Sequence, residues 1–183
     1  MHKILFAASE AHPLIKTGGL GDIAGSLPNA LSELGQDVRL VLPAYREALV
    51  NVEGFKVITH LHCADTAVRI LESQIPGNRV PVWLVDAPHY FDRPGGPYAD
   101  PAGRDWPDNA ARFTLFARAV TELSVGRAGL NWQPDLVHCN DWQTGLIPAL
   151  LASETQRPAT VFTIHNLAYQ GLFSREIFDL LDL

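Results

Sequence analysis

Four short stretches that are close to continuously apolar constrain this chain more than any other feature: "KILFAA" at 3–8, "DVRLVLP" at 37–43, "DLVHC" at 135–139 and "ATVFTIHN" at 159–166. A strand with one face in water alternates polar and apolar residues; these do not, so they read as strands of a sheet covered on both faces. Helical periodicity lies between them. Ile23, Leu27, Ala30, Leu31 and Leu34 share one face, with Gly35 placed as a C-cap. Pro28 interrupts that pattern, and an interior proline costs roughly 3 kcal/mol, so the expectation is a kink or a helix that starts near Ser26. Asp108 caps a helix running to about Arg127 on Phe113, Phe116, Val120 and Leu123, a further helix spans about 144–154, and "REIFDLLDL" opens another. Strands alternating with helices imply a doubly wound, mainly parallel α/β sheet with right-handed crossovers.

Three more strand-like runs, "FKVITHLH", "TAVRILESQI" and "VPVWLVDAP", follow one another with little helical signal. The turn Pro76-Gly77-Asn78 parts the last two, so this region reads as hairpin structure inserted beside the main sheet. Residues 87–107, rich in Pro, Gly, Tyr and Asp, make a loop of a length that usually carries function. The last helical pattern stops without a cap or polar tail, which reads as a piece of something larger.

Composition narrows the function classes. Fourteen Lys and Arg against twenty Asp and Glu, spread along the chain, give a net charge of −6. No basic stripe marks a nucleic-acid surface, and no apolar run reaches the roughly 18 residues of a membrane span. Cys63 and Cys139 lie far apart, outside any Cys-x-x-Cys spacing, which reads as a reduced, cytoplasmic setting.

In a doubly wound sheet ligands bind beyond the carboxyl ends of the strands. Those ends are polar here: "SEAHPLIKTGGLGD", "DAPHYFDRPGGPY", "HCNDWQTG" and "HNLAYQG". Gly19, Gly21 and Gly25 spell G-x-G-x-x-x-G, close to a dinucleotide fingerprint, but ten residues separate the strand from Gly19 and the second strand has no acid at its tip. The P-loop pattern fails as well, because Lys16 precedes the glycines. What remains is a glycine-lined turn at a helix N-terminus beside one cation, suited to an anion; the alternative is that Gly18 and Gly19 only satisfy a turn with positive φ. Asp141 is either a helix N-cap or an acceptor for sugar hydroxyls, with Trp142 as core. His138 and Cys139 sit on opposite faces of a strand, so a metal site is not expected. His165 and Asn166, at the end of a buried strand, must cap backbone groups or meet a ligand.

Together "KTGGLGD", "DAPHYFDRPGGPY", "DLVHCNDWQTGLIP" and "FTIHNLAYQG", in that order along the chain, resemble the bacterial glycogen synthases and plant starch synthases. The resemblance implies the N-terminal, acceptor-side half of a GT-B glycosyltransferase, a Rossmann-like domain whose C-terminal partner domain, with most nucleotide contacts, is missing. It implies a retaining enzyme that moves glucose from ADP-glucose to the non-reducing end of an α-1,4-glucan, without a cofactor, and a chain that is inactive alone. On the matching positions, Lys16 would contact the donor phosphates, Gly18 and Gly19 would approach the diphosphate and glucose, and Asp22 would organise their loop. Tyr98 would lie at the acceptor sugar, while Asp141 and His165, the expected catalytic pair, would face the transferring glucose with Asn166 and Gln143 nearby. Asn140 and Gln143 depart from the histidines that some bacterial relatives carry, and Gln143 can bond a sugar but cannot titrate. A UDP-glucose transferase of the same fold and a non-catalytic glucan-binding module are the competing expectations.

Overall fold

The computed structural model describes residues 1–183. Its centre is β1 (Lys3–Ala7), which pairs in parallel with β2 (Asp37–Pro43) on one side and with β6 (Leu136–Asn140) on the other. β5 (Pro81–Asp86) extends the parallel block beyond β2, and β7 (Ala159–Thr163) extends it beyond β6. β3 (Lys56–Cys63) and β4 (Thr66–Gln74) form the inserted hairpin, antiparallel to each other, and β4 runs antiparallel to β5. All seven strands make one sheet in the order β3-β4-β5-β2-β1-β6-β7. The hairpin therefore prolongs the main sheet, and "VPVWLVD" is a core strand of the parallel block instead of part of the insertion. Its apolar run has the same cause as those of β1 and β2, since Val82, Leu84 and Val85 are wholly buried.

From β1 the chain steps towards β2 and β5, then crosses back to β6 and on to β7. The crossover helices are α1 (Gly19–Glu33), α4 (Asn109–Ser124) and α5 (Leu146–Ala152). Right-handed crossovers made in opposite directions put α1 on one face and α4 and α5 on the other. The sheet interior between them, with Leu5, Phe6, Leu40, Leu42, Leu84, Phe116 and Val120, is closed to solvent. Each such side chain contributes roughly 1.5–3 kcal/mol over an exposed one. Short helices α2 (Arg46–Asn51), α3 (Pro88–Phe91) and α6 (Arg175–Asp179) complete the chain, the first without a signal in the sequence pattern.

Helix α1 corrects two expectations. It begins at Gly19, not near Ser26, and continues past Pro28 to Glu33. Its buried residues are Leu20, Gly21, Ala24 and Pro28, with Leu27 and Leu31 packed partly against the core. Ile23 and Leu34, expected inside, are 40% and 76% exposed. Pro28 lies on the buried stripe, so its ring gains apolar burial where the backbone loses a hydrogen bond. Gly35 closes the helix as expected: at φ +81 it donates to Ser32 O (2.9 Å) while Gln36 N donates to Leu31 O (3.1 Å), a Schellman arrangement.

Asp108 stands at the N-cap of α4 but makes no capping bond; its carboxylate takes both arms of Arg93 at 2.9 and 2.6 Å. After β6, a 3-10 turn (Trp142–Thr144) precedes α5, so the helix is shorter than its apolar pattern. β7 ends at Thr163 and lies at the sheet edge with most of its residues exposed or half-buried. The expectation that His165 and Asn166 end a buried strand is corrected: both are exposed beyond an edge strand, where no neighbour covers them.

Gly25 and Gly19 make opposite demands. A Cβ on Gly25 would lie 2.3 Å from the carbonyl oxygen of His12, whereas one on Gly19 would meet nothing within 4 Å. Gly25→Ala is expected to cost about 3 kcal/mol or more through overpacking against backbone. Gly19→Ala should leave stability unchanged or raise it by up to about 1 kcal/mol through helix propensity. Urea midpoints of the two variants measure the contrast.

Candidate functional site

The strand order reverses between β1 and β6, and the crevice beyond their carboxyl ends is where a doubly wound sheet holds a ligand. β1 delivers Ser9 and Glu10 there, both buried. The Glu10 carboxylate accepts from Thr17 N (2.5 Å), Gly18 N (3.2 Å) and the Thr17 hydroxyl (3.1 Å), pinning the loop that enters α1. Gly18 is the N-cap in an extended conformation, φ −149 and ψ −163, and neither it nor Gly19 has positive φ. A Cβ on either would also meet nothing, so neither backbone nor packing requires glycine at these positions. The amides of Gly19 and Leu20 have no protein acceptor, and no side chain caps the helix. Open space thus faces free N–H groups at the positive end of a 15-residue helix.

Lys16 stands at this opening with its ammonium on both oxygens of Asp22, at 2.7 and 2.8 Å. The partners are 42% and 57% exposed, and such a surface pair is worth at most about 1 kcal/mol. Gly21 lies against the same side chain, since a Cβ there would stand 2.9 Å from Lys16 Cγ and 3.3 Å from Glu10 Oε2. The second glycine of the fingerprint-like pattern is therefore spent on seating Lys16 and the third on packing against His12.

Tyr98 reaches the crevice from the long loop after β5. Its hydroxyl donates to Glu10 Oε1 (2.9 Å) and accepts from Ser9 Oγ (2.7 Å), and its ring leans on Phe113. Burial, then the neighbouring Tyr45 and Glu10, push its phenol well above the ordinary tyrosine value, so it remains a donor. The loop is ordered by buried arginine chemistry. Arg112, on the inward face of α4, donates to the carbonyls of Tyr90 and Pro97 and to Asn109 Oδ1, and Asn109 Nδ2 donates to Tyr98 O.

The other wall comes from β6 and β7. Asn140 is fully buried; its Nδ2 donates to Ala7 O (3.0 Å) and His138 O (3.2 Å), tying β6 to β1 across the strand reversal. Its Oδ1 must then accept, which makes Nε2 of His165, at 3.0 Å, the donor and fixes the ring. Asp141 holds the same residue from the other side, its carboxylate accepting from His165 N at 2.6 Å. Asp141 has φ +58 and ψ 179, a conformation almost reserved for glycine that costs roughly 1–3 kcal/mol. The strain persists because Asp141 N donates to Thr163 O and its carbonyl accepts from the Thr144 amide and hydroxyl. Asn166 shapes the next turn, accepting from Ala168 N at its side chain.

Lys16, Gly18, Gly19, Asp22 and Tyr98 thus meet around Glu10, and Asp141 and His165 meet around Asn140. Gln143 stands apart. It is buried, its Oε1 lacks a partner, and it lines a largely apolar cavity of about 620 Å³ with Phe113, Trp142 and Phe162, which no other expected site residue lines. Glu10 and Arg112 lie outside the residues that the sequence pattern singles out, and Asn140 stands there only as a departure from the family's histidine. An arginine immediately before Phe113, at the head of an apolar helical stripe, was the one visible signal; Glu10 carried none, because its partners lie 7, 8 and 88 residues away.

A crevice at the reversal of a doubly wound sheet, lined by free amides, one lysine and a clamped histidine–aspartate pair, defines an α/β ligand-binding domain of the Rossmann-like class. The chain belongs to the starch synthase catalytic domain family, whose profile matches residues 3–183. It is 58% identical to glycogen synthase 2 of Nitrosococcus oceani and 56% identical to glycogen synthase of Cellvibrio japonicus, covering all of this chain and 38% of each relative. A solved structure, the catalytic domain of starch synthase IV from Arabidopsis thaliana bound to ADP and acarbose, superposes with a TM-score of 0.79 at 28% identity, over 97% of this chain and 36% of that one. The chain therefore spans less than two-fifths of the length of its relatives. No helix is long and apolar enough to cross a membrane.

His138, beside this site, donates or accepts at Thr163 Oγ1 and packs edge-on against Phe6. Burial, then the nearby His165, lowers its pKa from the ordinary 6.5. The unfolded chain then binds the proton more readily, so stability is complete above about pH 6.5 and declines as pH falls below it. Urea midpoints between pH 7.5 and about 5 should show this slope, and His138→Gln should remove it. Glu72 and Asp108, whose pKa values are lowered, act in a separate window below their ordinary 4.5 and 3.8.

Proposed function

We propose that this chain is the acceptor-side, N-terminal part of a retaining glucosyltransferase that moves glucose from ADP-glucose to the non-reducing end of an α-1,4-glucan. The observation that carries the reading is the open space at Gly18 and Gly19, glycines that neither φ nor packing requires, facing free helix amides and Lys16. The names of the relatives, and the ADP and acarbose bound by the solved neighbour, supply the ligand class. Cytoplasmic action fits the free, buried Cys63 and Cys139.

In this reading Lys16 leaves the weak Asp22 pair for the donor phosphates, joined by the Gly19 and Leu20 amides. Asp22 parks the ammonium when the site is empty. Leaving ADP carries negative charge, so positioning and electrostatic stabilisation provide most of the catalysis. Asp141 and His165 face the transferring glucose: Asn140 fixes the ring, and Asp141 fixes the backbone. No carboxylate is held as a nucleophile, so the acceptor attacks on the face that ADP leaves, its proton passing to the departing phosphate. Tyr98 lies on the acceptor side. A second domain closes the cleft and provides the remaining nucleotide contacts, so the chain alone is inactive. Leu167, Tyr169 and Leu172, between 71% and 84% exposed, give further polypeptide an apolar surface to cover.

The test mixes this chain with the part of the Nitrosococcus oceani relative that lies beyond the matched region and follows glucose transfer from ADP-glucose. The chain alone should give none and the mixture some. Lys16→Ala should lower kcat/KM by about 100-fold, the size expected for a lost transition-state contact. Gly19→Ala should lower it as well while leaving the urea midpoint in place. Restored transfer indifferent to Lys16→Ala would remove the donor phosphates from this site.

A further inference from the structure

Glu10 is a carboxylate buried to 3% exposure with no cation within salt-bridge distance. Burying a charge without a counter-ion costs several kcal/mol, and the partners of Glu10 here are hydrogen-bond donors. Those donors come from two segments far apart in sequence. Oε2 takes the Thr17 and Gly18 amides, Oε1 takes the Tyr98 phenol, and the Thr17 hydroxyl lies between, 3.1 and 3.2 Å from the two oxygens. The first segment leads into the α1 N-terminus; the second is the loop that Arg112 and Asn109 hold. An amide side chain could not accept at both ends, since one of its arms is a donor.

We propose that Glu10 is a positioning residue that couples the Lys16–Gly19 loop to Tyr98, so that occupation of one side of the crevice is felt at the other. The ligand identities rest on the function proposed above; the coupling rests on the Glu10 contacts alone. Displacing the Tyr98 phenol leaves Oε1 short of a donor and draws the carboxylate, with the Thr17 and Gly18 amides, towards a new position. Stiffening Thr17 and Gly18 around a ligand in turn fixes the Glu10 oxygen that Tyr98 needs.

The experiment uses the 183-residue chain, labelled with nitrogen-15. Tyr98→Phe removes one hydroxyl and should move the Thr17 and Gly18 amide resonances; Ser9→Ala, which removes the other partner of Tyr98, should move them less. In a Glu10→Ala background Tyr98→Phe should leave both in place, and if that variant does not fold, Glu10→Gln serves with the same expectation of a diminished response. Shifts confined to the neighbours of Tyr98 overturn the proposal. A titration with ADP adds the functional arm. Tyr98→Phe should weaken ADP by about 5-fold or more, the lower range of coupling between sites, and should add nothing to the loss in Glu10→Gln. If the parent chain binds no ADP, the nucleotide contacts lie in the second domain, and the Thr17 and Gly18 shifts alone decide the coupling.

Discussion

The structure depends on one pairing, β1 against β6, where the chain changes its direction of travel through the sheet. Right-handed crossovers fill the sheet on one side of β1 with β2 and β5 and on the other with β6 and β7, and the helices cannot close over the point where the directions part. A crevice follows from topology before any side chain is chosen. Asn140 secures that point by donating from β6 to the Ala7 carbonyl at the end of β1. With that end closed, Ser9 and Glu10 leave β1 on one wall while Asp141 and His165 stand on the other.

Each wall is organised by one buried polar residue that joins several partners. Glu10 accepts from amides, a hydroxyl and a phenol; Asn140 donates twice and accepts once. In a low-dielectric interior such groups are costly unless satisfied and directional when satisfied. They hold in place the segments that carry exposed groups: the loop of Lys16 on one wall and the ring of His165 on the other. The left-handed backbone at Asp141 belongs to the same design, since the bonds around it bear a conformation that a free chain would abandon.

Burial of long runs made the α/β class legible, because a strand covered on both faces has no polar positions to alternate. The polar strand ends, and their order along the chain, made the family legible and with it Lys16, Asp141 and His165. The face of α1 was misread for a local reason. Apolar spacing predicts burial of Ile23 and Leu34, but the face turned to the sheet is the one that carries Leu20, Ala24 and Pro28. The third run of the hairpin region joins the parallel block because pairing partners are invisible along the chain: nothing in "VPVWLVD" states that β2, whose Leu40 lies 42 residues before its partner Val82, is its neighbour.

By itself the sequence determined most of the elements and the alternation that forces a parallel sheet, and it marked the polar strand ends as candidate site segments, since these follow from local periodicity and side-chain type. Only the tertiary structure decided that Gly18 and Gly19 border open space while Gly21 and Gly25 pack, because the four differ in surroundings and not in kind. It also decided that Glu10 and Asn140 are the two anchors of the site. Their partners are brought within hydrogen-bond reach by sheet pairing and loop closure, and a bond between residues 88 or 133 positions apart leaves no trace in the composition or spacing near either one.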